Sequence, residues 1–575
     1  SQYTPGVGWA QAITYRSRVL KEKEWAGSIL VALGGDASTA ANGFWASLNI
    51  VTTQSLPYLY LIEDNSYGIS VPSTYQTPGG DLAKNLSSFT GLYLIDGDGT
   101  DPIDAAIKID QAVQYVRSHR GPALLRLSVP RLSGHSFTDN QSYKTLQQIE
   151  TEQARDPLPK LKQFILNQKY LSEAEWAALE QSVEAEVAAA RDRALAQAEP
   201  DTTSTQRHVF FDGSNPQTIG GLIGDGIKLP EGSTTPNVTD PGSRLNLIDA
   251  IKRTLEVELS INPRLAIFGE DVGVKGGVHG ATTDLQLKFG ADRVFDTSLS
   301  EDGIIGRSVG LALAGLMPVP EIQFRKYTDP ATEQINNVGT MRWRTMSKFA
   351  APIVVRMPVG FGRKTGDPWH SVSGETIHAH TIGWRVAYPS NAEDAVGLLR
   401  SALRGNDPTF FYEHRALYDT APARRPYPGD EYVLPFGVAN VLSSGDDLTV
   451  VTWGSMVQRC VDAANPPGGF KPPGGSGGSI EIIDLRTIVP WDKAAVLKSV
   501  SKTGKCLIVH EDGWTVGFGA EIAATIAQEI FFDLDAPIVR LATPDVPLPY
   551  NTGLMDSVVP TVEKIREEME RLLRI

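Results

Sequence analysis

Two short apolar runs, each leading to a polar residue, do most to constrain the fold of this chain. Residues 28–33 lead to Asp36, and residues 57–62 lead to Asn65. Each run is mostly apolar and too short for a helix, so it predicts a buried strand of a parallel sheet. The intervening residues 40–51 predict a helix, which completes a βαβ unit. Asp36 and Asn65 are then expected at the carboxyl ends of two strands, where open α/β sheets bind ligands.

The residue types at these two strand ends suit a metal ion. A carboxylate oxygen of Asp36 and an amide oxygen of Asn65 are hard donors of the kind that bind a Mg²⁺ together with a diphosphate. The alternative is a turn that carries these residues for conformational reasons, because Gly-Asp is common in turns. These two residues by themselves leave both interpretations open.

Length and composition narrow the class of protein. With 575 residues, of which 41% are hydrophobic and 21% charged, the chain is expected to form several globular domains. Its formal net charge of −14 argues against nucleic acid as the main partner. No segment approaches about 18 uninterrupted apolar residues, so we expect no membrane span. Two cysteines, Cys460 and Cys506, cannot build a disulfide framework and favour a cytoplasmic protein.

A second block, at residues 295–306, decides between the two interpretations. Together with Asp36 and Asn65, which lie 29 residues apart, it resembles the two halves of a thiamine-diphosphate site. Glu301 lies where that family keeps the glutamate that exchanges a proton with the aminopyrimidine ring. An acidic residue favoured by a helix dipole is the alternative for Glu301 alone. The presence of both halves in one chain favours the cofactor site.

The resemblance implies a role for each matching residue. The metal ligands would be Asp36, Asn65 and the backbone carbonyl of Tyr67. The cofactor-binding positions are Gly35, Asp36, Ala37, Ser38, Asn65 and Tyr67 on the diphosphate side and Leu299, Gln323 and Tyr327 on the pyrimidine side. Ala37 replaces the usual third glycine of the motif. Residues 269–272 and 276–278 resemble a further loop near the site.

The whole chain resembles the decarboxylating first component of 2-oxo acid dehydrogenase complexes, with an alpha-like and a beta-like part joined in one polypeptide. This implies an α/β fold: thiamine-diphosphate-binding domains, with parallel sheets flanked by helices, plus a transketolase C-terminal-like domain. We place the domains at 1–199 (alpha-like, diphosphate-binding), 244–430 (beta-like, pyrimidine-binding) and 431–575 (transketolase C-terminal-like), with a linker at 200–243. The family's alpha part has residues before the predicted helix 4–23, so we expect the alpha-like half to be truncated at its N-terminus.

Histidines supply two further candidate catalytic residues. Residues 131–139 resemble the alpha-subunit loop whose histidine, here His135, faces the cofactor and helps to present it to the lipoyl domain. Ser136 matches a phosphorylation position of eukaryotic members. His370 lies in a segment similar to the beta-subunit loop with a second active-site histidine, and an imidazole suits proton transfer at neutral pH. His378 and His380 could suggest a metal, but no third ligand joins them at metal spacing, which favours a structural role.

The resemblance also implies the reaction and its partners. A 2-oxo acid would be decarboxylated, and its acyl group transferred to a lipoyl group of a dihydrolipoamide acyltransferase. We expect a homodimer with thiamine diphosphate and Mg²⁺ between an alpha-like and a beta-like domain. Branched-chain substrates are favoured, with pyruvate next. Residues 321–324 resemble branched-chain enzymes and some bacterial pyruvate enzymes, and Glu63 lies where pyruvate enzymes often have Glu and many branched-chain enzymes have Arg. The alternatives are a transketolase or deoxyxylulose-phosphate synthase, and a non-catalytic cofactor-binding form.

Patterns elsewhere predict the remaining elements. Residues 91–95 and 122–127 predict strands, and residues 151–199, rich in Ala, Glu and Gln, predict helix. Residues 465–479 predict a flexible surface loop. Residues 559–573 predict an amphipathic helix that packs rather than reacts.

Overall fold

The structure, a computed structural model, describes residues 2–213, 217–221, 229–362, 365–466 and 478–575. It consists of two compact units, Ser1–Arg207 and His208–Ile575. Each unit has its own sheets and its own buried hydrophobic clusters.

The first unit is built on a parallel sheet of four strands in the order β1-β2-β6-β5, with a small β3–β4 hairpin beside it. Its strands are β1 Leu30–Gly35, β2 Tyr58–Asp64, β3 Tyr67–Gly68, β4 Val71–Pro72, β5 Tyr93–Asp98 and β6 Ala123–Ser128. Its helices are α1 Tyr3–Arg18, α2 Asn42–Gln54, α3 Leu82–Leu86, α4 Pro102–Arg117, α5 Leu146–Gln153, α6 Pro157–Asn167 and α7 Glu173–Leu195. The predicted βαβ unit is therefore β1–α2–β2.

The strand β1 differs from the expectation of full burial. Leu30 and Ala32 pack against the core that α1 helps to form, but Val31 and Leu33 are 44% and 71% exposed. The physical reason is position: β1 lies at the edge of the sheet, and alternate residues of a strand face opposite sides. The inner strands β2 and β6 are mostly buried, as expected.

The helical region predicted at 151–199 is broken in two places. Asp156 caps α6 and Pro157 is its first residue, a combination that starts a new helix and cannot continue the previous one. Ser172 and Glu175 form a capping box at the start of α7. The predicted helix 4–23 also ends early, at Arg18.

The second unit contains a sheet of seven strands and a sheet of five. The strands are β7 Arg244–Leu245, β8 Leu265–Gly269, β9 Val294–Asp296, β10 Met317–Glu321, β11 Val354–Val359, β12 Arg385–Ala387, β13 Thr409–His414, β14 Arg425–Pro426, β15 Asn440–Ser443, β16 Leu448–Thr452, β17 Ile480–Asp484, β18 Thr487–Val489, β19 Cys506–Gly513 and β20 Val539–Thr543. The helices are α8 Leu247–Ile261, α9 Leu285–Phe289, α10 Glu301–Leu313, α11 Thr332–Gly339, α12 Met341–Arg344, α13 Glu375–Ala379, α14 Ala392–Leu403, α15 Met456–Ala464, α16 Lys493–Thr503, α17 Phe518–Glu529, α18 Thr552–Val558 and α19 Val562–Leu573.

The larger sheet has the order β18-β12-β13-β11-β10-β8-β9 and is parallel except for β18. The smaller sheet has the order β15-β17-β16-β19-β20 and is parallel except for β15. Since β18 comes from the C-terminal part of the chain, it links the two halves of this unit through backbone hydrogen bonds. The strands β8, β9 and β10 are neighbours, so the segments after their carboxyl ends meet at one edge of the sheet.

Several remaining predictions concern segments outside the sheets. Residues 214–216 and 222–228 of the predicted linker, and residues 467–477 of the predicted loop at 465–479, lie outside the described residues. The predicted C-terminal helix begins at Val562, after Pro560. Cys460 and Cys506 are both buried free thiols. None of the helices in the described ranges is both long enough and apolar enough to span a membrane.

Candidate active site

Asp36 and Asn65 lie together at the carboxyl ends of β1 and β2. The Asn65 N–H donates to Asp36 Oδ1 over 3.3 Å, and the Tyr67 N–H donates to Asn65 Oδ1 over 3.0 Å. Asp36 is only 2% exposed. Its second oxygen, Oδ2, is buried and has no hydrogen-bond partner among the described residues.

The surroundings of Asp36 disfavour its negative charge. Burial, followed by the charge of Asp64, raises the pKa of Asp36 to about 6, although the Asn65 N–H opposes the shift. Arg126 binds Asp64 over 2.6 Å and Asp96 over 2.9 Å, so the neighbouring carboxylates have a cation of their own. A buried carboxylate oxygen without a partner is costly unless a cation or a donor reaches it. The donors present here therefore fit a bound cation.

The residues around Asp36 form a tight turn. The Ser38 hydroxyl donates to the carbonyl of Gly35 over 2.6 Å and lies 2.5 Å from the Tyr3 hydroxyl. A Cβ added to Gly68 would lie 2.5 Å from the Ala37 Cβ. With Ala37 in place of a glycine, position 68 must therefore itself be a glycine.

His135 lies in the same unit as Asp36 and is exposed. Its backbone N–H donates to Asp139 Oδ2 over 2.7 Å, and the Tyr143 hydroxyl donates to the same oxygen over 3.1 Å. The backbone N–H of Gln141 also donates to Asp139, and the N–H groups of His135 and Gln141 hold the pKa of Asp139 below its ordinary value. The loop around His135 is thus organised by Asp139, which the sequence analysis did not single out.

In the second unit, Glu301 is the first residue of α10, and the Ser300 side chain caps this helix by accepting from the Gly303 N–H over 3.2 Å. Burial, followed by the charges of Glu301 and Asp271, raises the pKa of Glu270 to about 7. Glu301 is therefore close enough to Glu270 for its charge to raise the pKa of Glu270. Glu270 belongs to a loop expected near the site, but no sequence pattern predicted that it would lie close to Glu301.

Gln323 and Tyr327 follow β10 at the same edge of the sheet. The Gln323 side chain donates to the Glu270 carbonyl at the long distance of 3.5 Å. The Tyr327 hydroxyl lies 2.9 Å from His370 Nε2, and the Phe324 ring centroid lies 4.4 Å from that of His370. Leu299, expected beside the cofactor ring, is 81% exposed.

Three other residues lie near this edge: Asp367 and His279, which the sequence patterns did not single out, and His378, which was expected to be structural. Asp367 Oδ1 lies 3.2 Å from His370 Nδ1, and an Asp three residues before a candidate histidine was a signal available in the sequence. His279, also missed, lies 5.0 Å from Tyr418 between ring centroids, and burial, followed by Arg415, lowers its pKa to about 4. His378 Nδ1 lies 2.6 Å from the Tyr412 hydroxyl, which fits the structural role expected for it.

Apart from these contacts, the described ranges contain no cluster of three or more His, Cys, Asp or Glu side chains that could hold a metal ion. The Asp36 arrangement differs from such a cluster because its expected donors include an Asn amide and a backbone carbonyl. Of the expected residues, the structure joins Asp36, Asn65 and Tyr67 in one group and Tyr327 and His370 in another.

Three family models match successive parts of the chain. Residues 2–203 match the dehydrogenase E1 component, residues 243–420 the transketolase pyrimidine binding domain, and residues 437–565 the transketolase C-terminal domain. The 2-oxoisovalerate dehydrogenase subunit beta of Bacillus subtilis is 40% identical over 332 residues, which are 57% of this chain and 99% of that protein. The chain belongs to the 2-oxo acid dehydrogenase E1 family.

Further relatives of this E1 chain carry both branched-chain and pyruvate names. The 3-methyl-2-oxobutanoate dehydrogenase subunit beta of Mycobacterium tuberculosis H37Rv is 37% identical over 61% of this chain and 99% of its own length. The pyruvate dehydrogenase E1 component subunit beta of Bacillus subtilis is 39% identical over 54% of this chain and 93% of its own length. A solved structure titled split gene transketolase, inactive beta4 tetramer, is 18% identical, with a TM-score of 0.47, over 57% of this chain and 99% of its own.

The E1 membership confirms the predicted fusion of an alpha-like region with beta-like domains and the predicted α/β fold class. It also confirms that the chain is a 2-oxo acid dehydrogenase component, an enzyme. The family domains imply thiamine diphosphate as the cofactor, and an E1 component implies an E2 partner.

Proposed function

We propose that this E1 chain oxidatively decarboxylates a branched-chain 2-oxo acid and transfers the acyl group to the lipoyl group of a dihydrolipoamide acyltransferase. The observation that carries the proposal is the Asp36–Asn65 pair at the ligand-binding edge of a parallel sheet. Asp36 Oδ2 is buried there and has no hydrogen-bond partner within the described part of the chain. Asp36, Asn65 and the Tyr67 carbonyl would hold Mg²⁺ and, through it, the cofactor diphosphate.

The second unit would supply the acid–base groups. Thiamine diphosphate, when bound, provides the carbon nucleophile and the electron sink for decarboxylation. Glu301, at the N-terminus of α10, would exchange a proton with the aminopyrimidine ring, and Gln323, Tyr327 and the Leu299 segment would line its pocket. His370, with Tyr327 at 2.9 Å, would move protons beside the reacting atoms. His135, exposed on its loop, would present the cofactor to the lipoyl domain.

Branched-chain substrates are favoured over pyruvate by a small margin. The relatives named for 2-oxoisovalerate and for pyruvate are 40% and 39% identical to this chain. The beta-like half therefore supports both substrate classes almost equally. Residues 321–324 resemble branched-chain enzymes and some bacterial pyruvate enzymes, whereas the exposed Glu63 is typical of pyruvate enzymes.

We propose that two copies of the chain form a dimer in which each cofactor contacts an alpha-like and a beta-like domain. The two groups of candidate residues lie in different units of the chain, Asp36 in Ser1–Arg207 and Glu301 in His208–Ile575. Closed two-fold symmetry is the commonest arrangement of homo-oligomers. A dimer by light scattering, with one cofactor per chain by titration, is expected, and a monomer that turns over would contradict it.

Steady-state assays test the reaction directly. The full chain, with thiamine diphosphate and Mg²⁺, is given 2-oxoisovalerate, pyruvate or 2-oxoglutarate, and a lipoylated domain or an artificial electron acceptor. We expect the highest kcat/KM with 2-oxoisovalerate. A preference for pyruvate would overturn the substrate assignment alone. Transfer to an aldehyde acceptor without lipoyl reduction would instead identify a transketolase-like reaction.

A further inference from the structure

His370 lies on a loop that is folded around the carboxylate of Asp367. Asp367 Oδ1 accepts the backbone N–H groups of Trp369 over 2.8 Å and His370 over 2.7 Å. The same oxygen lies 3.2 Å from His370 Nδ1. A single carboxylate oxygen thus fixes the backbone turn and faces the imidazole that the turn carries.

The position of Asp367 is itself set by buried partners. Its backbone N–H donates to the Ser371 hydroxyl over 2.9 Å, and Ser371 is fully buried. Arg415 donates to the same hydroxyl over 2.9 Å and to the Gly360 carbonyl over 2.7 Å. Because Arg415 ties the loop to the end of β11, the carboxylate does not depend on exposed contacts for its placement.

Asp367 is ionised at neutral pH. Burial alone would raise its pKa, but the N–H groups of His370 and Trp369, together with the charges of His370 and Arg415, hold it below the ordinary value. An ionised carboxylate accepts hydrogen bonds and donates none. The negative charge of Asp367, 3.2 Å from His370 Nδ1, therefore favours the neutral ring with its proton on Nδ1, which leaves the lone pair on Nε2, 2.9 Å from the Tyr327 hydroxyl.

The His370 ring needs such a partner because packing does not immobilise it. Its side chain is 40% exposed, and its aromatic neighbours are Phe324 and Tyr327. A half-exposed imidazole without a partner on Nδ1 would exchange between its two tautomers in solution.

We propose that Asp367 is a positioning residue whose negative charge favours the Nδ1–H tautomer of His370 and keeps Nε2 as the nitrogen that accepts protons. This inference rests on the proposed function only in that it gives His370 a proton to move. The simpler alternative is that Asp367 does no more than stabilise the turn. The two roles can be separated, because an Asn at this position keeps an oxygen for the backbone N–H groups of Trp369 and His370 but carries no charge.

A matched control variant is available in the same region. Asp545 and Asp367 both line a cavity of about 330 Å³, together with Glu511 and Asp512. Asp545 likewise accepts a backbone N–H, from Thr515 over 2.9 Å, and the hydroxyl of the same residue. Asp545→Asn therefore removes a similar charge from the same cavity without touching an imidazole.

The tautomer is measured by ¹⁵N NMR of the full chain labelled at its histidines, with His370→Gln identifying the His370 signals among the nine histidines. We expect the Nδ1–H tautomer in the unmodified chain and in Asp545→Asn, and a shift toward Nε2–H in Asp367→Asn. The same tautomer in Asp367→Asn as in the unmodified chain would overturn the proposal.

Kinetics test whether Asp367 acts through His370. Removal of a general acid–base group costs roughly 10²–10⁴-fold, so loss of its positioning residue should lower kcat by about 10- to 100-fold with little change in KM. In a His370→Gln background, Asp367→Asn should cost nothing further, because both changes remove one function. A full additional loss in that background would show a separate structural role. If the unmodified chain decarboxylates no 2-oxo acid, the proposed function fails, and the NMR measurement still decides the pairing.

Discussion

Asn65 donates its backbone N–H to the carboxylate of Asp36 over 3.3 Å, although 29 residues separate the two in the chain. This hydrogen bond joins the carboxyl ends of β1 and β2. The other carboxylate oxygen, Asp36 Oδ2, is buried there and has no hydrogen-bond partner in the described structure. The arrangement holds an acceptor ready for a cation while the other oxygen is occupied.

Asp36→Ala should therefore abolish Mg²⁺-dependent binding of thiamine diphosphate. The substitution removes the buried carboxylate and leaves Asn65 as the remaining side-chain donor. Asp98→Ala is the matched control, since Asp98 also ends a strand of this sheet but is engaged with Thr100. Calorimetric titration with cofactor and Mg²⁺ measures both variants. Equal affinity in Asp36→Ala and Asp98→Ala would rule out the diphosphate site.

Glu301→Gln should keep the fold and bind the cofactor, yet decarboxylate roughly 10²–10⁴-fold more slowly. An amide preserves the shape of the side chain at the start of α10 but cannot exchange a proton with the ring. Asp249→Asn serves as the control, because Asp249 is likewise an acidic residue in the first turn of a helix, α8. Single-turnover rates separate chemistry from binding. A rate for Glu301→Gln close to that of the control would exclude Glu301 from proton transfer.

The sequence predicted the elements whose signals are local. The apolar runs before Asp36 and Asn65 located β1 and β2, because a short, continuously apolar segment has few other structures available. Their proximity followed from the rule that parallel strands align their carboxyl ends. The break before α6 was also visible in principle, as Asp156 followed by Pro157.

Other features depend on distant parts of the chain and could not be read from a local pattern. The exposure of Val31 and Leu33 reflects the edge position of β1, which an apolar run does not reveal. The effect of Glu301 on the pKa of Glu270 arises between segments that follow neighbouring strands. The strand β18 joins a sheet whose other strands all come earlier in the chain. Packing, rather than propensity, decides such relationships.

Arg356→Met should destabilise the second unit strongly. The Arg356 guanidinium is fully buried and binds Glu413 over 2.7 Å and Glu321 over 2.9 Å. Removal of one partner from a buried ionic network costs about 3–5 kcal/mol, because the remaining carboxylates are left uncompensated. Arg571→Met, which breaks the half-exposed pair with Glu568 on α19, should cost less than about 1 kcal/mol. Urea denaturation compares the free energy of unfolding of the two variants. Similar losses in both would contradict the view that Arg356 compensates buried carboxylates.

Glu270 gives the prediction that depends on pH. Its pKa is raised from 4.5 to about 7, first by burial and then by Glu301 and Asp271. The folded chain therefore holds this proton more tightly than the unfolded chain does. The stability that this adds is present below about pH 4.5 and is lost as the pH rises to about 7.

Glu270→Gln cannot lose that proton, so its melting temperature should rise relative to the unmodified chain across this window and stay level above it. In a Glu301→Gln background the window should move to lower pH, because one of the charges that raise the pKa of Glu270 is gone. Calorimetric scans of the four proteins between pH 4.5 and pH 8 measure both effects. A difference between Glu270→Gln and the unmodified chain that does not vary with pH would show that Glu270 ionises alike in the folded and unfolded chains. A window that does not move in the Glu301→Gln background would show that the two carboxylates are not coupled.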